Sequence, residues 1–223
     1  MHKIQKIILK RLLVKNKQKY SELTKGYNFE DNIVFHLKQL TNQGYIEKQG
    51  TEYQITTSGV KTITNFDLDS LDDTGFKTFF LGFICKCGDE YLLKEHKNEN
   101  QTFYNLPSGK PNFGENIEDS LIRTFRENTN LELNVKDFKY ISLHLKTVKT
   151  PIGETLFDDA FAVYEVNITE EQKEKVNLHK NIKWFSLKEI KKLSNCWPEI
   201  NILLIKKDFT NYLTYSFKTS YTL

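Results

Sequence analysis

The 223-residue sequence has no long apolar run. The longest candidates, Phe79 to Ile84 and Ile200 to Ile205, fall far short of the ~18 apolar residues that a helical membrane span requires, so no membrane partner is expected. The opening stretch MHKIQKIILKRLL is charged and helix-periodic, with no signal-peptide core or small-residue cleavage site. Cysteine is scarce. Cys85, Cys87 and Cys196 are odd in number, and their spacing matches neither a disulfide framework nor a zinc knuckle. A Cys-x-Cys on one strand face reads as core, and the expected setting is a reducing cytoplasm. None of the five histidines (His2, His36, His96, His144, His179) pairs with another at metal-ligand spacing. No nucleophile elbow and no G-x4-GK[ST] loop occurs.

Apolar material for cores is plentiful: 39% hydrophobic residues, including 16 Phe and 11 Tyr. The net charge of +3 hides an asymmetry. Residues 1–66 hold 11 Lys and Arg against five Asp and Glu, a net +6, and the remainder holds 21 against 24, a net −3. A polyanionic partner should meet the basic head first.

Within that head, Ile4, Ile7, Ile8, Leu12 and Leu13 recur at helical spacing over residues 3–14. YSELTK (20–25) reads as a short second helix with Ser21 as its N-cap. Asn28 to Asn42 reads as a third, with Val34, Leu37 and Leu40 buried, Phe35 near the edge and Gly44 as the stop. YIEKQ (45–49) and EYQIT (52–56) form a hairpin about Gly50, and Thr57 or Ser58 opens a last helix to about Asn65. This order resembles a winged helix-turn-helix, which implies DNA binding through helix 28–42, with Asn32, His36, Lys38, Gln39, Gln43 and Lys48 as the side chains available to DNA. Dimerisation or protein contact is the competing reading, since Glu30-Asp31 and the acid of the QGTE tip repel phosphate. NFDLDSLDDTG (65–75) has four acids and no base and reads as a linker over residues 67–76.

The C-terminal part, 77–199, alternates strands and helices: two strands about Lys86-Cys87-Gly88-Asp89, a short one at Phe103 to Leu106, and a helix over roughly 117–128. Strands near 139–147 and 156–167 follow, and NIKWFSLKEIKKL (181–193) runs from strand into a helix capped by Ser186 and Glu189. The tail, 200–223, is aromatic and reads as a helix plus a strand, packed on the domain or at a dimer contact.

The stretch GKPNFGENIEDSLIRTFRENTNLEL (109–133) carries the chemistry. Gly109, Glu115, Arg123, Glu127 and Leu131 stand at the spacings of G-x5-E-x7-R-E-U-x-E-E-x-G-U, where U is bulky and aliphatic, and Phe125 fills an apolar slot. The stretch resembles the box of the Nudix hydrolase superfamily, and LPSGK (106–110) and KWFSLKEI extend the resemblance over about 77–195. It implies an α+β chain in which a Nudix-fold α/β/α sandwich with a mixed sheet follows the winged helix. A glycine loop and carboxylates one helical turn apart would hold Mg2+ and a diphosphate. By that resemblance Gly109, Glu115 and Glu127 are metal candidates, Glu127 is the residual catalytic group, and Gly109, Lys110 and Arg123 are ligand contacts.

The box is damaged. Thr124 and Asn128 stand where two of three helix carboxylates belong, and Asn130 replaces a glycine, a mild change because Asn tolerates the left-handed conformation. Thr124 carries no charge for a hard cation, so Mg2+ binding is expected to be weak or absent. Asp119, Arg123 and Glu127 form an i, i+4, i+8 stripe that reads as a salt-bridge ladder. Glu154, Asp158 and Asp159 are the substitute carboxylates, each also readable as loop polarity. The expectation is a cytoplasmic, nucleotide-diphosphate-derivative-binding regulator of transcription with weak or lost hydrolysis, compatible with a homodimer. The alternatives are an active Mg2+-dependent hydrolase with an altered carboxylate set, or a pair of interaction scaffolds.

Overall fold

The computed structural model describes residues 1–28, 31–66, 71, 77–97, 102–178 and 181–218. It divides into two units, Met1–Phe76 and Lys77–Leu223. Apart from Leu71, the expected linker 67–76 lies outside the described residues, as do Glu30, His179 and the last residues of the tail, 219–223.

In the first unit, α1 (Lys3–Val14) is followed by β1 (Lys17–Lys19), α2 (Tyr20–Leu23), α3 (Ile33–Asn42), the hairpin β2 (Ile46–Gln49) and β3 (Glu52–Ile55), and α4 (Thr57–Ile63). The three strands form an antiparallel sheet in the order β1-β3-β2. Ile8, Leu9, Leu12, Leu23, Leu37 and Leu40 are among its core residues.

Several local expectations change. The stretch between the first two helices supplies β1, because Lys17 to Lys19 register with Gln54 to Glu52. Lys19, not Ser21, is the α2 cap residue, its backbone N–H donating to Glu22 at 2.8 Å. Thr56 caps α4, accepting from Gly59 N–H. α3 starts at Ile33 rather than Asn28, because Asn32 adopts the left-handed conformation (φ 46°). That start rotates the apolar stripe: Ile33 is buried with Leu37 and Leu40, and Val34 is 62% exposed.

The second unit is a mixed sheet of eight strands. β4 (Thr78–Cys87), β5 (Glu90–Lys97), β8 (Lys139–Lys149), β9 (Thr155–Asn167), β10 (Ile182–Ser186) and β11 (Tyr212–Lys218) run in the order β10-β5-β4-β9-β8-β11. β6 (Thr102–Asn105) pairs with β5, and the two-residue β7 (Ser108–Gly109) pairs with β4. β4–β9 and β8–β11 are parallel pairs, and the rest are antiparallel.

Period-2 alternation divides the core between the two faces. Leu81, Phe83, Cys85 and Cys87 pack against Leu121 and Phe125 of α5 (Ile117–Thr129), with Phe83 and Phe125 edge-to-face at 5.2 Å. Ile84, Leu93 and Val163 pack on the other side with Ile190 of α7 (Leu187–Ile190), Ile200 of α8 (Pro198–Ile200), and Leu203 and Leu204 of the π-turn that follows. The fold is therefore α+β, with a small antiparallel sheet and a larger mixed one covered by helices. Ser186 and Glu189 form the expected capping box at α7. The helix α6 (Glu170–Lys175), begun by a Thr169–Gln172 box, is an addition to the expected elements.

The parting of β4 and β5 positions the start of the box. β4 and β5 pair only next to their turn, at Lys86–Tyr91 and Cys87–Glu90. Beyond that they separate, and the chain before the box enters the gap: Phe83 N–H donates to Pro107 O at 2.9 Å, and Leu81 and Gly82 register with Gly109 and Ser108.

Candidate functional site

Because successive residues of a strand face opposite sides, Ser108 and Gly109 of β7 look in opposite directions. Gly109 meets α5: a Cβ there would lie 2.8 Å from Thr124 Cγ2 and 2.9 Å from its Cβ, closer than packing allows. Only glycine fits beneath this helix, which gives the first residue of the box a steric reason. Ser108 instead lines a cavity of about 230 Å³ on the other face of the sheet.

The helix side is held by one arginine. Arg123 Nε and Nη2 donate to the two Glu115 oxygens at 2.7 and 2.6 Å, Nη1 contacts both Glu127 oxygens at 3.1 Å, and Nη2 reaches Lys110 O at 3.0 Å. All five guanidinium donors are thereby directed at protein groups. Arg123 is thus a clasp fastening the 110–115 loop to α5. Both Glu115 oxygens serve the clasp. The Arg123 hydrogen bonds, with the Asn112 backbone N–H, lower the Glu115 carboxyl to about 2, and Arg123 is raised in turn, first by Glu115. Asp119 leaves the expected salt-bridge ladder for the helix start: its N–H donates to Asn116 Oδ1, and its carboxylate accepts from Asn116 Nδ2.

A group whose folded pKa is depressed stabilises the fold above its unfolded value and loses that contribution as pH falls through its folded value. The clasp should therefore hold fully above about pH 4.5, the ordinary Glu115 value, and fail on acidification towards about pH 2. Urea midpoints of the parent and of Glu115→Gln should differ at pH 5 and converge as pH falls. A constant difference would remove the clasp.

The two altered box positions are inward-facing and neutral. Thr124 is 0% exposed, and its Oγ1 donates to Ser120 O at 2.5 Å. Asn128 Nδ2 donates to Ser108 O at 3.1 Å and to Thr124 O at 2.8 Å. Both positions therefore hold donors aimed at carbonyls, where a cation site needs acceptors. Among the described residues no group of three or more His, Cys, Asp and Glu could hold a metal. The donors do not fit a resident Mg2+. Glu127 remains on the exposed side of α5, in contact with Arg123. Asn130 adopts the left-handed conformation at φ 67° and ends the helix.

Apart from Lys110 and Asp159, both singled out in the sequence, the residues on the cavity side were missed by sequence reasoning. Phe157, Asp159 and Phe161 alternate along β9 and so share one face, and with Phe80, Phe103 and Trp197 they line the cavity. Lys146 of β8 lies at its floor, 5% exposed, and donates to Glu199 Oε1 at 2.9 Å. Lys110 Nζ stands 4.9 Å from the centre of the Phe80 ring, so the box loop brings a cation to the cavity. Of the three substitute carboxylates, Glu154 is exposed in a turn, Asp158 pairs with Lys77 and accepts from Thr147, and Asp159 alone lines the cavity. Burial raises the Asp159 carboxyl above its ordinary value.

The side chains expected to touch DNA differ in exposure. Asn32, Lys38, Gln43 and Lys48 are exposed, and Gln39 is half-buried. His36 is 8% exposed and stacks on His2 with ring centres 4.5 Å apart, so it belongs to the packing between α1 and α3 and not to the surface. Several cations of the basic head are tied down: Lys6 donates to Leu71 O, Arg11 to Leu23 O and Lys25 O, and Lys15 pairs with Glu22.

No protein-family model matches the chain, and no curated protein matches it. Solved structures similar to it include a MutT protein from Bacillus halodurans, at 14% identity over 65% of this chain and 92% of that one, with a TM-score of 0.49. Another is the Nudix domain of Shewanella oneidensis NrtR complexed with ADP ribose, at 13% identity over 69% and 98%, with a TM-score of 0.46. A third is a MutT protein from Methanosarcina mazei, at 15% identity over 60% and 96%, with a TM-score of 0.44. The C-terminal unit seats a glycine loop in a mixed sheet and leads it into the helix of the box.

Proposed function

We propose that the chain binds a nucleotide-diphosphate derivative with little or no hydrolysis and acts through a DNA-binding winged helix at its N-terminus. The observation that carries this reading is the asymmetry across Ser108–Gly109. On one side is an aromatic cavity with the Lys110 ammonium beside it. On the other, the box helix turns neutral donors towards the loop. The features that bind a base and a phosphate are kept, and the acceptor set that would activate water is replaced. Gly109, Lys110 and Glu127 are the residues of this site nearest the ligand phosphates.

The order α1-α2-α3 followed by the β2–β3 hairpin supports the winged-helix reading. Lys38 on α3 and its cap residues Asn32 and Gln43 are exposed, as are Val34 and Phe35, and an apolar side chain suits a thymine methyl. Lys48 lies on the hairpin.

The test is a thermal-shift panel of ADP-ribose, nucleotide sugars, dinucleotides and NTPs, each with and without Mg2+, with product analysis of the same samples. Stabilisation should reach about 2.7 kcal/mol at a hundredfold excess over Kd, with no product formed. Salt-sensitive DNA retention should change with the same ligand. Rapid Mg2+-dependent product formation would favour the altered-carboxylate hydrolase, and binding of neither DNA nor nucleotide would leave only scaffolds.

A further inference from the structure

Lys146 and Asp159 stand directly opposite each other in the β8–β9 register, and both line the aromatic cavity. Cross-strand partners have Cβ atoms about 5 Å apart, and opposite charges so placed ordinarily pair. These two do not. Lys146 donates to Glu199 Oε1 instead, with its ammonium 4.3 Å from the Phe161 ring centre and 5.0 Å from that of Trp197. Among the described residues no hydrogen bond or ion pair reaches the Asp159 carboxylate.

The group that draws the lysine away comes from the C-terminal segment. Glu199 is 1% exposed on α8, and its Oε2 accepts from Tyr215 Oη of β11 at 3.4 Å. Tyr215 lies 3.2 Å from His144 Nδ1. With the Tyr215 hydroxyl donating to Glu199, His144 Nδ1–H donates to the Tyr215 oxygen, and the chain of bonds is consistent from strand to floor. The cavity is left with one ammonium already held by a carboxylate and one half-buried carboxylate without a donor. A partnerless carboxylate among aromatic rings costs free energy that a donor from a ligand offsets.

We infer that Lys146 and Asp159 are the specificity-determining pair of the cavity, reading the edge of a planar heterocycle that carries an N–H donor beside a carbonyl or ring-nitrogen acceptor, with Glu199 and Tyr215 as positioning residues. This rests on the proposal that the cavity is the ligand site. The ring stacks among Phe80, Phe157 and Phe161, its N–H donates to Asp159, and its acceptor accepts a hydrogen bond from the Lys146 ammonium. Lys146, Glu199 and Asp159 together carry a net negative charge, so the cavity floor rejects a phosphate, which stays at Lys110.

The decisive variant touches no ligand. In Glu199→Gln the grip on Lys146 is lost, the ammonium swings to Asp159, and both reading groups are occupied by each other. Calorimetric titration with adenosine, guanosine, cytidine and uridine, and with their N-methylated counterparts, should show one or more unmethylated nucleosides binding. Glu199→Gln and Asp159→Asn should each weaken that binding about tenfold or more and abolish discrimination against the methylated form. Glu199→Asp should restore part of it, and ribose 5-phosphate should be indifferent to all three. Should Glu199→Gln not fold, Tyr215→Phe removes only the hydroxyl and should give a smaller loss in the same direction.

Unchanged nucleoside binding in Glu199→Gln or Asp159→Asn, or equal binding of methylated nucleosides, would overturn the inference. Nucleotides that bind irrespective of base would leave the ligand-site proposal standing without it. Nucleosides that bind where ribose 5-phosphate and nucleotides do not would keep the cavity and its reading pair and remove the diphosphate part of the proposed function, and no binding of any probe would remove both.

Discussion

Lys146→Met should destabilise the C-terminal unit by about 3–5 kcal/mol, the range for removing one member of a buried ion pair. Glu199 is then left 1% exposed with its cation gone and, among the described residues, only the Tyr215 hydroxyl as a donor. The reverse change should be milder. In Glu199→Gln the stranded group is Lys146, and Asp159 stands opposite it in the β8–β9 register to take the ammonium. Replacing both members with apolar residues, Lys146→Met with Glu199→Met, should recover most of the loss, because no charge is left buried. Urea unfolding of the three variants gives the comparison. Equal losses for Lys146→Met and Glu199→Gln would mean that Asp159 does not relieve the lysine, and a parent-like midpoint for Lys146→Met would mean that the pair is not dry.

This pair also marks where the sequence stops being legible. α5 could be read to within a residue of Ile117–Thr129 because its signals are local: apolar spacing at Leu121 and Phe125, and an Asn at position 130 that tolerates φ 67°. The β4–β5 and β8–β9 strands were equally plain from alternation and their turns. The failures are non-local. β1 is three residues long and exists because β3 offers it an edge. α3 starts late because Asn32 turns left-handed, and the rotated face buries His36 against His2 from another helix.

In the site, the box spacing was visible but not what its members hold. Glu115 and Arg123 are eight residues apart, and their mutual clasp follows from the path of the loop between them. Asp159 drew notice only as a stray carboxylate, because the strand face it shares with Phe157 and Phe161 matters only once a cavity lies in front of it. Lys146 and Glu199 lie 53 positions apart, and Tyr215 comes from a tail whose aromatic composition suggested burial without showing against what. Periodicity reports which face of an element is apolar. It does not report which polar groups a sheet order brings together.

Thr124→Glu combined with Asn128→Glu should turn the box into a divalent-cation site and make the stability of the protein depend on Mg2+. At present both positions donate: Thr124 Oγ1 to Ser120 O, and Asn128 Nδ2 to Ser108 O and Thr124 O. A carboxylate only accepts, so the double variant turns acceptors towards these carbonyls and removes the side-chain donor to Ser108 O at the loop. Each such loss is worth about 1–3 kcal/mol, and without a divalent cation the variant should melt well below the parent. With Glu127 one turn away, the new pair completes three carboxylates on one helix face, and a cation between them and the loop reverses the repulsion. Mg2+ at a hundredfold excess over its Kd should return about 2.7 kcal/mol, where the parent should show no comparable shift. Hydrolysis of whichever nucleotide derivative the parent binds should rise by at least about a hundredfold, the lower range for supplying a general base. If Mg2+ neither stabilises the variant nor brings activity, the neutral residues at 124 and 128 are not what separates binding from turnover, and the explanation must lie in the loop that Arg123 clasps.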